Sequence, residues 1–223
     1  MNILCISEYL SITENMKAKP ALLIIGNSNV GKSSITRLLL PNPRKFKGKV
    51  GKSPGSTLLV KPITQPNLPY KIIDLPGFGY TSHSSRRRAE HIKKQIVRHI
   101  EKHYSDYFFS LVVINILRIE DELNKYFLLD KKTIPLSFEL IQFLNEFKIP
   151  LLIVINKIDK YSTLDKNRII QLFINSAKAY GLNLVQLNIN KDETHSELPY
   201  LEFSALNKTN LKELKKEIQK YLM

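Results

Sequence analysis

GNSNVGKSS, Gly26 to Ser34, is the stretch that decides the fold; it sits between the apolar run Ala21 to Ile25 and the helix-like run Ile35 to Leu40. Its spacing is G-x-x-x-x-G-K-[ST], a phosphate loop, in which glycines let backbone N–H groups turn inward on an anion and the next helix begins at that anion. A strand that feeds the loop and a helix that leaves it are the context this motif needs. Lys32 is expected to reach the outer phosphates and the Ser33 hydroxyl to bind Mg²⁺. Asn27, Ser28, Asn29, Val30, Gly31 and Ser34 complete the candidate phosphate-binding set with Gly26. Only 8 glycines occur in 223 residues, so a chance match in a glycine-rich linker is a poor alternative.

Working outward, 43% hydrophobic residues over this length suit one well-buried domain, expected over residues 19–223 behind an N-terminal extension, 1–18. A formal charge of +14 points to nucleic acid or an anionic surface, with plain solubility as the bland alternative. Cys5 is the only cysteine, which excludes an intramolecular disulfide. Together with an N-terminus unlike a signal peptide, it suggests a reducing cytoplasm. The apolar run Phe108 to Leu117 is interrupted by Ser110 and Asn115 and falls short of the roughly 20 residues of a spanning helix. It reads as a buried strand, and no membrane association is expected.

From Ala21 onward strand-like runs alternate with amphipathic runs, the pattern of a mostly parallel α/β sheet with helices on both faces. Pro41 to Ser56, aperiodic and rich in Pro, Gly and Lys, reads as a mobile loop before a strand Leu58 to Ile63. Its end carries Gly55, Ser56 and Thr57; Thr57 is expected to complete the Mg²⁺ shell and sense the terminal phosphate. The strand Tyr70 to Ile73 leads into Asp74-Leu75-Pro76-Gly77. An acid at a strand end followed by a glycine whose N–H can approach a phosphate suits a Mg²⁺-linked γ-phosphate sensor.

A helix over Ser84 to Tyr104 carries Ile92, Ile96, Ile100 and Tyr104 on one side. Its cations include Arg86, Arg87, Arg88, Lys93, Lys94, Arg98 and Lys102, read as a nucleic-acid contact in preference to a solvated face. His99 and His103 lack an evident third ligand and read as surface residues. A strand Phe108 to Ile116 precedes a charged, irregular segment, Arg118 to Thr133, expected as an insertion at the sheet edge. A helix over Pro135 to Lys148 directs Leu136, Leu140, Leu144 and Phe147 to the core.

Leu151 to Ile155 reads as a central parallel strand, ending in Asn156-Lys157-Ile158-Asp159. The Asp159 carboxylate can accept two hydrogen bonds from guanine N1–H and the 2-amino group, a pattern adenine does not offer. Asn156 and Lys157 would brace the loop and cover the base. A helix over Leu164 to Tyr180 stops at Gly181, and strands follow at Leu184 to Ile189 and Tyr200 to Phe203. Ser204-Ala205-Leu206 is positioned to offer backbone N–H to a guanine carbonyl. The last helix, Lys208 to Leu222, buries Leu211, Leu214, Ile218 and Tyr221.

Five elements in one order, GNSNVGKS, the threonine of SPGST, DLPG, NKID and SAL, resemble the nucleotide site of translation-factor-type P-loop GTPases. Within that superfamily the chain is similar to the EngB (YihA) ribosome-assembly GTPases, through Ser28 to Ser34, Gly51 to Thr57 and Asp74 to Tyr80. Lys49 to Leu59 and Ile134 to Lys160 look like archaeal members. The resemblance implies a six-stranded P-loop GTPase fold and GTP, GDP and Mg²⁺ binding. It also implies a part in maturing the large ribosomal subunit, linked to normal cell division.

Carried over by residue, Gly26 to Ser33 bind phosphates, Ser33 and Thr57 hold Mg²⁺, and Asp74 and Gly77 sense the γ-phosphate. Lys32, Thr57 and Gly77 form the catalytic group, and Asn156, Lys157 and Asp159 bind guanine with Ser204 and Ala205. The chain departs from the family's usual residues at Asn27, Ser53 and Asn156. Gly79 stands where Ras-like enzymes keep a water-orienting glutamine, so slow unassisted hydrolysis is expected. Asn29 stands where potassium-dependent relatives help hold K⁺, so stimulation by K⁺ or by ribosomal particles is expected. A monomer is expected to dock ribosomal RNA through a surface including Arg86, Arg87 and Arg88. The rival readings are an RNA-binding scaffold with little turnover and a GTPase of tRNA modification.

Overall fold

Strands covered on both faces can be apolar at every position, without the alternation of a half-exposed sheet. Three stretches meet that condition: β1 (Ala21–Gly26), β3 (Tyr107–Asn115) and β4 (Leu151–Asn156) are buried almost throughout. The structure is a computed structural model that describes residues 19–46, 62–77, 86–125, 134–187 and 197–222. Three shorter strands, β2 (Lys71–Asp74), β5 (Leu184–Gln186) and β6 (Leu198–Phe203), join them. All pair in parallel in the order β2-β1-β3-β4-β6-β5.

Successive strand residues point to opposite faces, so the apolar runs divide between two cores. Leu23, Ile25, Ile114, Ile153 and Ile155 face one layer with Ile96, Ile100, Phe138, Ile141, Ile169 and Phe173. That layer holds the helices α2 (Arg86–His103), α4 (Leu136–Glu146) and α5 (Thr163–Ala179). Leu22, Ile24, Phe109, Leu111, Val154 and Phe203 face the other, which holds Ile35, Leu39, Leu214 and Ile218 from α1 (Lys32–Leu39) and α6 (Leu211–Lys220). The P-loop GTPase type of α/β sheet, with helices on both faces, is therefore the architecture of the chain.

Several local expectations are corrected. The described part of the expected insertion, Arg118 to Lys125, is neither irregular nor at the sheet edge: β3 is an interior strand, and it leads through a 3-10 turn (Ile116–Arg118) into a short helix, α3 (Ile119–Leu123), with Ile119 and Leu123 buried. Residues 126–133 lie outside the described residues. Tyr104 does not join the α2 core stripe but sits half exposed in a 3-10 turn, tilted against Phe147 at 5.3 Å. Ile63 forms an antiparallel bridge with Ile72, and 58–61 of the strand expected there are not described. Pro43–Lys45 of the expected loop form a 3-10 turn, and 47–56 are not described. No helix among the described residues is long and apolar enough to cross a membrane.

Parallel pairing brings strand ends to one rim. Ile24 pairs with Asp74, Gly26 with Val113, Asn115 with Asn156, and Asn156 with Phe203, so the turns after β1, β2, β4 and β6 leave the sheet side by side. Ligands of open α/β sheets bind outside the carboxyl ends of the strands.

Candidate nucleotide site

The phosphate loop closes around its own lysine. Lys32 opens α1, is 8% exposed, and its Nζ donates to Gly26 O at 3.0 Å and Asn27 O at 2.8 Å. An ammonium has three donors; two are fixed on carbonyls, and the third remains for an anion at the loop. Burial pulls the Lys32 value down from 10.5 to about 8, partly opposed by the Asp74 carboxylate. Gly31, just before α1, has φ 105, a left-handed backbone that glycine adopts without strain, and a Cβ there would fall on Asn156 Nδ2.

Beside the lysine, Ser33 Oγ–H donates to Asp74 Oδ2 at 3.3 Å. A hydroxyl from the first turn of α1 and a carboxylate from the end of β2 thus converge, and this hard-oxygen pair fits Mg²⁺. Asp74 opens Leu75-Pro76-Gly77, and Gly77 packs so closely on the phosphate loop that a Cβ would lie 2.5 Å from Ser28 N. The γ-phosphate turn and the phosphate loop therefore touch at a point only glycine allows. Gly55, Ser56, Thr57 and Gly79 lie outside the described residues.

The turn after β4 is tied to the same loop. Asn156 is 1% exposed; its Nδ2 donates to Val30 O at 2.8 Å and its Oδ1 accepts from Ala205 N–H at 3.0 Å. Lys157, at φ 68, donates from Nζ to Asn29 O at 2.7 Å. Asp159, on the 3-10 turn Ile158–Lys160, accepts from Ser204 Oγ–H at 2.5 Å, and Ser204 Oγ in turn accepts from Asn207 N–H at 3.1 Å. Gly26 to Ser33, Asp74 to Gly77, Asn156 to Asp159 and Ser204 to Ala205 thus form one contiguous rim. Ala205 differs from expectation in that its N–H is held by Asn156. Leu206, two residues after Ser204, is 71% exposed.

Sequence reasoning missed Arg118. It ends the 3-10 turn that follows β3, and burial together with the Arg118 charge lowers the Lys157 value. The signal was available, since a cation just past β3 must lie beside the turn of the neighbouring strand β4 once the two are read as parallel. Arg86, Arg87 and Arg88 open α2. The His99 and His103 rings are tilted against each other with centroids 4.8 Å apart, and His103 Nδ1 lies 3.2 Å from Asp106 Oδ2. No group of three or more metal-ligating side chains occurs among the described residues.

Comparison with known proteins agrees with this geometry. Residues 21–157 match a family model described as 50S ribosome-binding GTPase. The chain is 32% identical over 198 residues to a probable GTP-binding protein EngB of Methanococcus aeolicus, over 79% of this chain and 83% of that protein. It is 31% identical over 161 residues to the Pyrococcus abyssi counterpart, over 71% and 72%. A crystal structure of a probable GTP-binding protein EngB superposes with a TM-score of 0.68 at 25% identity, over 91% of this chain and 98% of that one. With the family model spanning more than half of its length and relatives matched over most of theirs, the chain belongs to the EngB family of GTP-binding GTPases.

Proposed function

We propose that this GTPase is a switch in assembly of the large ribosomal subunit, linked through it to normal cell division, and that it works in the cytoplasm where those particles are. The observation that carries the reading is the closed rim: Lys32 fixed over the loop carbonyls, Ser33 against Asp74, and the Asn156 turn tied to Val30 and Asn29. Each part serves a separable step. The phosphate loop and the third Lys32 N–H bind the β- and γ-phosphates, Asp159 selects guanine over adenine, and Lys157 and Leu206 cover the base. Ser33 and Asp74, together with Thr57, would hold Mg²⁺, which supplies charge neutralisation at the phosphates.

The γ-phosphate can bias the loops only by binding their two arrangements unequally. The Gly77–Ser28 contact supports that role, because a phosphate entering the loop meets the switch turn directly. Without a glutamine at Gly79, water orientation falls to an outside agent. We assign slow intrinsic hydrolysis, with K⁺ at Asn29 or a ribosomal particle as the stimulus. The particle docks as ribosomal RNA on the basic surface that includes Arg86, Arg87 and Arg88. The description of the matching family model as 50S ribosome-binding supports this choice of partner.

Single-turnover phosphate release with and without large-subunit particles tests the reading. Slow release alone and accelerated release with particles are expected. Tight GTP binding with no release in either condition would replace the switch with a nucleotide-bearing scaffold. Equal rates in Na⁺ and K⁺ would remove the potassium part.

A further inference from the structure

α6 carries a row of exposed lysines on the side away from the sheet. Lys212, Lys215, Lys216 and Lys220 are exposed on the side opposite buried Leu214 and Ile218, and exposed Lys208 precedes the helix. Three cations of other helices are paired across elements: Lys93 with Glu139, Lys166 with Glu202, and Arg168 with Glu120. On α6 only Lys220 approaches a carboxylate, Glu217 at 3.8 Å. Among the described residues, no acidic oxygen lies within ion-pairing distance of Lys208, Lys212, Lys215 or Lys216.

Such a face disfavours the helix that carries it. Lys212, Lys216 and Lys220 repeat at four-residue spacing, where like charges repel. Lys212 also lies in the first turn, where the helix dipole favours an acid, a place that Glu213 partly serves. A face whose only task was solubility would be better served by mixed signs. Local choices that oppose the fold mark places where another demand decides the residues.

We propose that this face of α6 binds the phosphate backbone of double-stranded RNA. It rests on the reading of the partner as ribosomal RNA and adds a second contact to it. Lysines are point charges that grip phosphates without the forked geometry used to read bases. The face offers no aromatic platform for unstacked bases, because the Tyr221 ring is stacked on Phe109 at 4.5 Å. Those two features fit a duplex recognised through its backbone and not a single strand. Lys212 to Lys220 span about 12 Å of helix, a length that can follow several phosphates.

The second contact is also separate from the first. Leu214 and Ile218 pack on one face of the sheet, whereas Ile96 and Ile100 of α2 pack on the other. The sheet therefore lies between the lysine face and the helix that begins with Arg86. One RNA surface at α2 and another at α6 would hold the protein from both sides.

The test measures binding of a 20-base-pair RNA duplex and of large ribosomal subunits across a salt series. It uses the full chain, the triple variant Lys212→Gln, Lys215→Gln, Lys216→Gln, and the triple variant Arg86→Glu, Arg87→Glu, Arg88→Glu. Each phosphate contact contributes about 0.7 to 0.9 to the slope of log affinity against log salt. The lysine variant is expected to lower the slope by about 2 to 3 and to weaken duplex binding roughly tenfold or more near physiological salt. GDP affinity should be unchanged, since these side chains face solvent, and the thermal midpoint should not fall, since the substitutions relieve like-charge repulsion. Wild-type slope and affinity in that variant, with binding lost in the arginine variant, would overturn the proposal and leave the ribosomal reading standing. Absence of binding to duplex and particle by the unmodified chain would overturn both.

Discussion

Lys32 carries a prediction with a definite sign. Its folded value, about 8 against 10.5 for an ordinary lysine, means that it is half neutral near pH 8 when held only by carbonyls. A bound diphosphate needs the ammonium and raises that value, so nucleotide binding above pH 8 must take up a proton. GDP affinity should be flat below pH 8 and fall roughly tenfold per pH unit above it. Calorimetry at pH 9 in buffers of different ionisation enthalpy should show uptake close to one proton, and no uptake would contradict the burial of Lys32. For stability the sign is opposite: between pH 8 and 10.5 the unfolded chain binds more protons, so the Lys32 contribution favours folding as pH rises. At Asp159, substitution by Asn exchanges an acceptor for a donor opposite guanine N1–H and the 2-amino group. The Asp159→Asn variant should lose GTP affinity by a hundredfold or more and gain xanthosine triphosphate, measured by competition; unchanged GTP binding would remove the base-reading role. The motif residues were legible because their order along the chain restricts them. Their mutual bonds were less so: Ser204 on Asp159 and Lys157 on Asn29 depend on strand order, which no local spacing encodes.

At the level of elements, α3 and α4 meet through one carboxylate. Glu122 accepts from Ser137 N–H at 2.7 Å through one oxygen and from Ser137 Oγ–H at 3.0 Å through the other. Ser137 N–H is among the first donors of α4, which have no partner within the helix, and an acid there suits the dipole. Burial raises the Glu122 value, and the two Ser137 bonds work against that rise. Glu122→Ala should cost about 1–3 kcal/mol in urea unfolding by stripping a buried donor, and Glu122→Gln, which keeps an acceptor, should recover part of it. Equal stabilities of the two variants would mean the carboxylate is not the cap. This junction also shows where element reading stopped. IEDEL carries three acids in five residues, too short for a period to emerge, and only β3 pairing on both sides shows that the segment belongs above the core. Strands read well because doubly covered strands are apolar runs, yet β6 starts two residues earlier than expected, with Pro199 inside it. Leu198 N–H bonds Asn183 O on the β5 side, and pairing with β4 begins only at Tyr200, so the donor that Pro199 lacks falls where no ladder bond is due.

Across the whole molecule, the rim joins the first half of the chain to the second. The bonds from Asn156 to Val30 and from Lys157 to Asn29 close sequence separations of 126 and 128 residues. Nucleotide seated between the phosphate loop and the 156–159 turn touches both halves at once, so its binding energy should appear as stability of the entire fold and not of one loop. At a hundredfold excess over its dissociation constant, GDP adds about 2.7 kcal/mol, which for a chain of this size raises the thermal midpoint by about 5–10 °C. Asn156→Ala removes both the Val30 and the Ala205 bonds from a buried position and should cost about 1–3 kcal/mol without nucleotide. It should also shrink the GDP-induced rise measured at the same total concentration, because the base turn is no longer held in register with the phosphate loop. Loss of intrinsic stability with the full rise retained would show that Asn156 serves packing alone. Loss of both would show that one buried carboxamide couples the fold to its ligand, as expected where strand ends from distant parts of a chain meet at one edge.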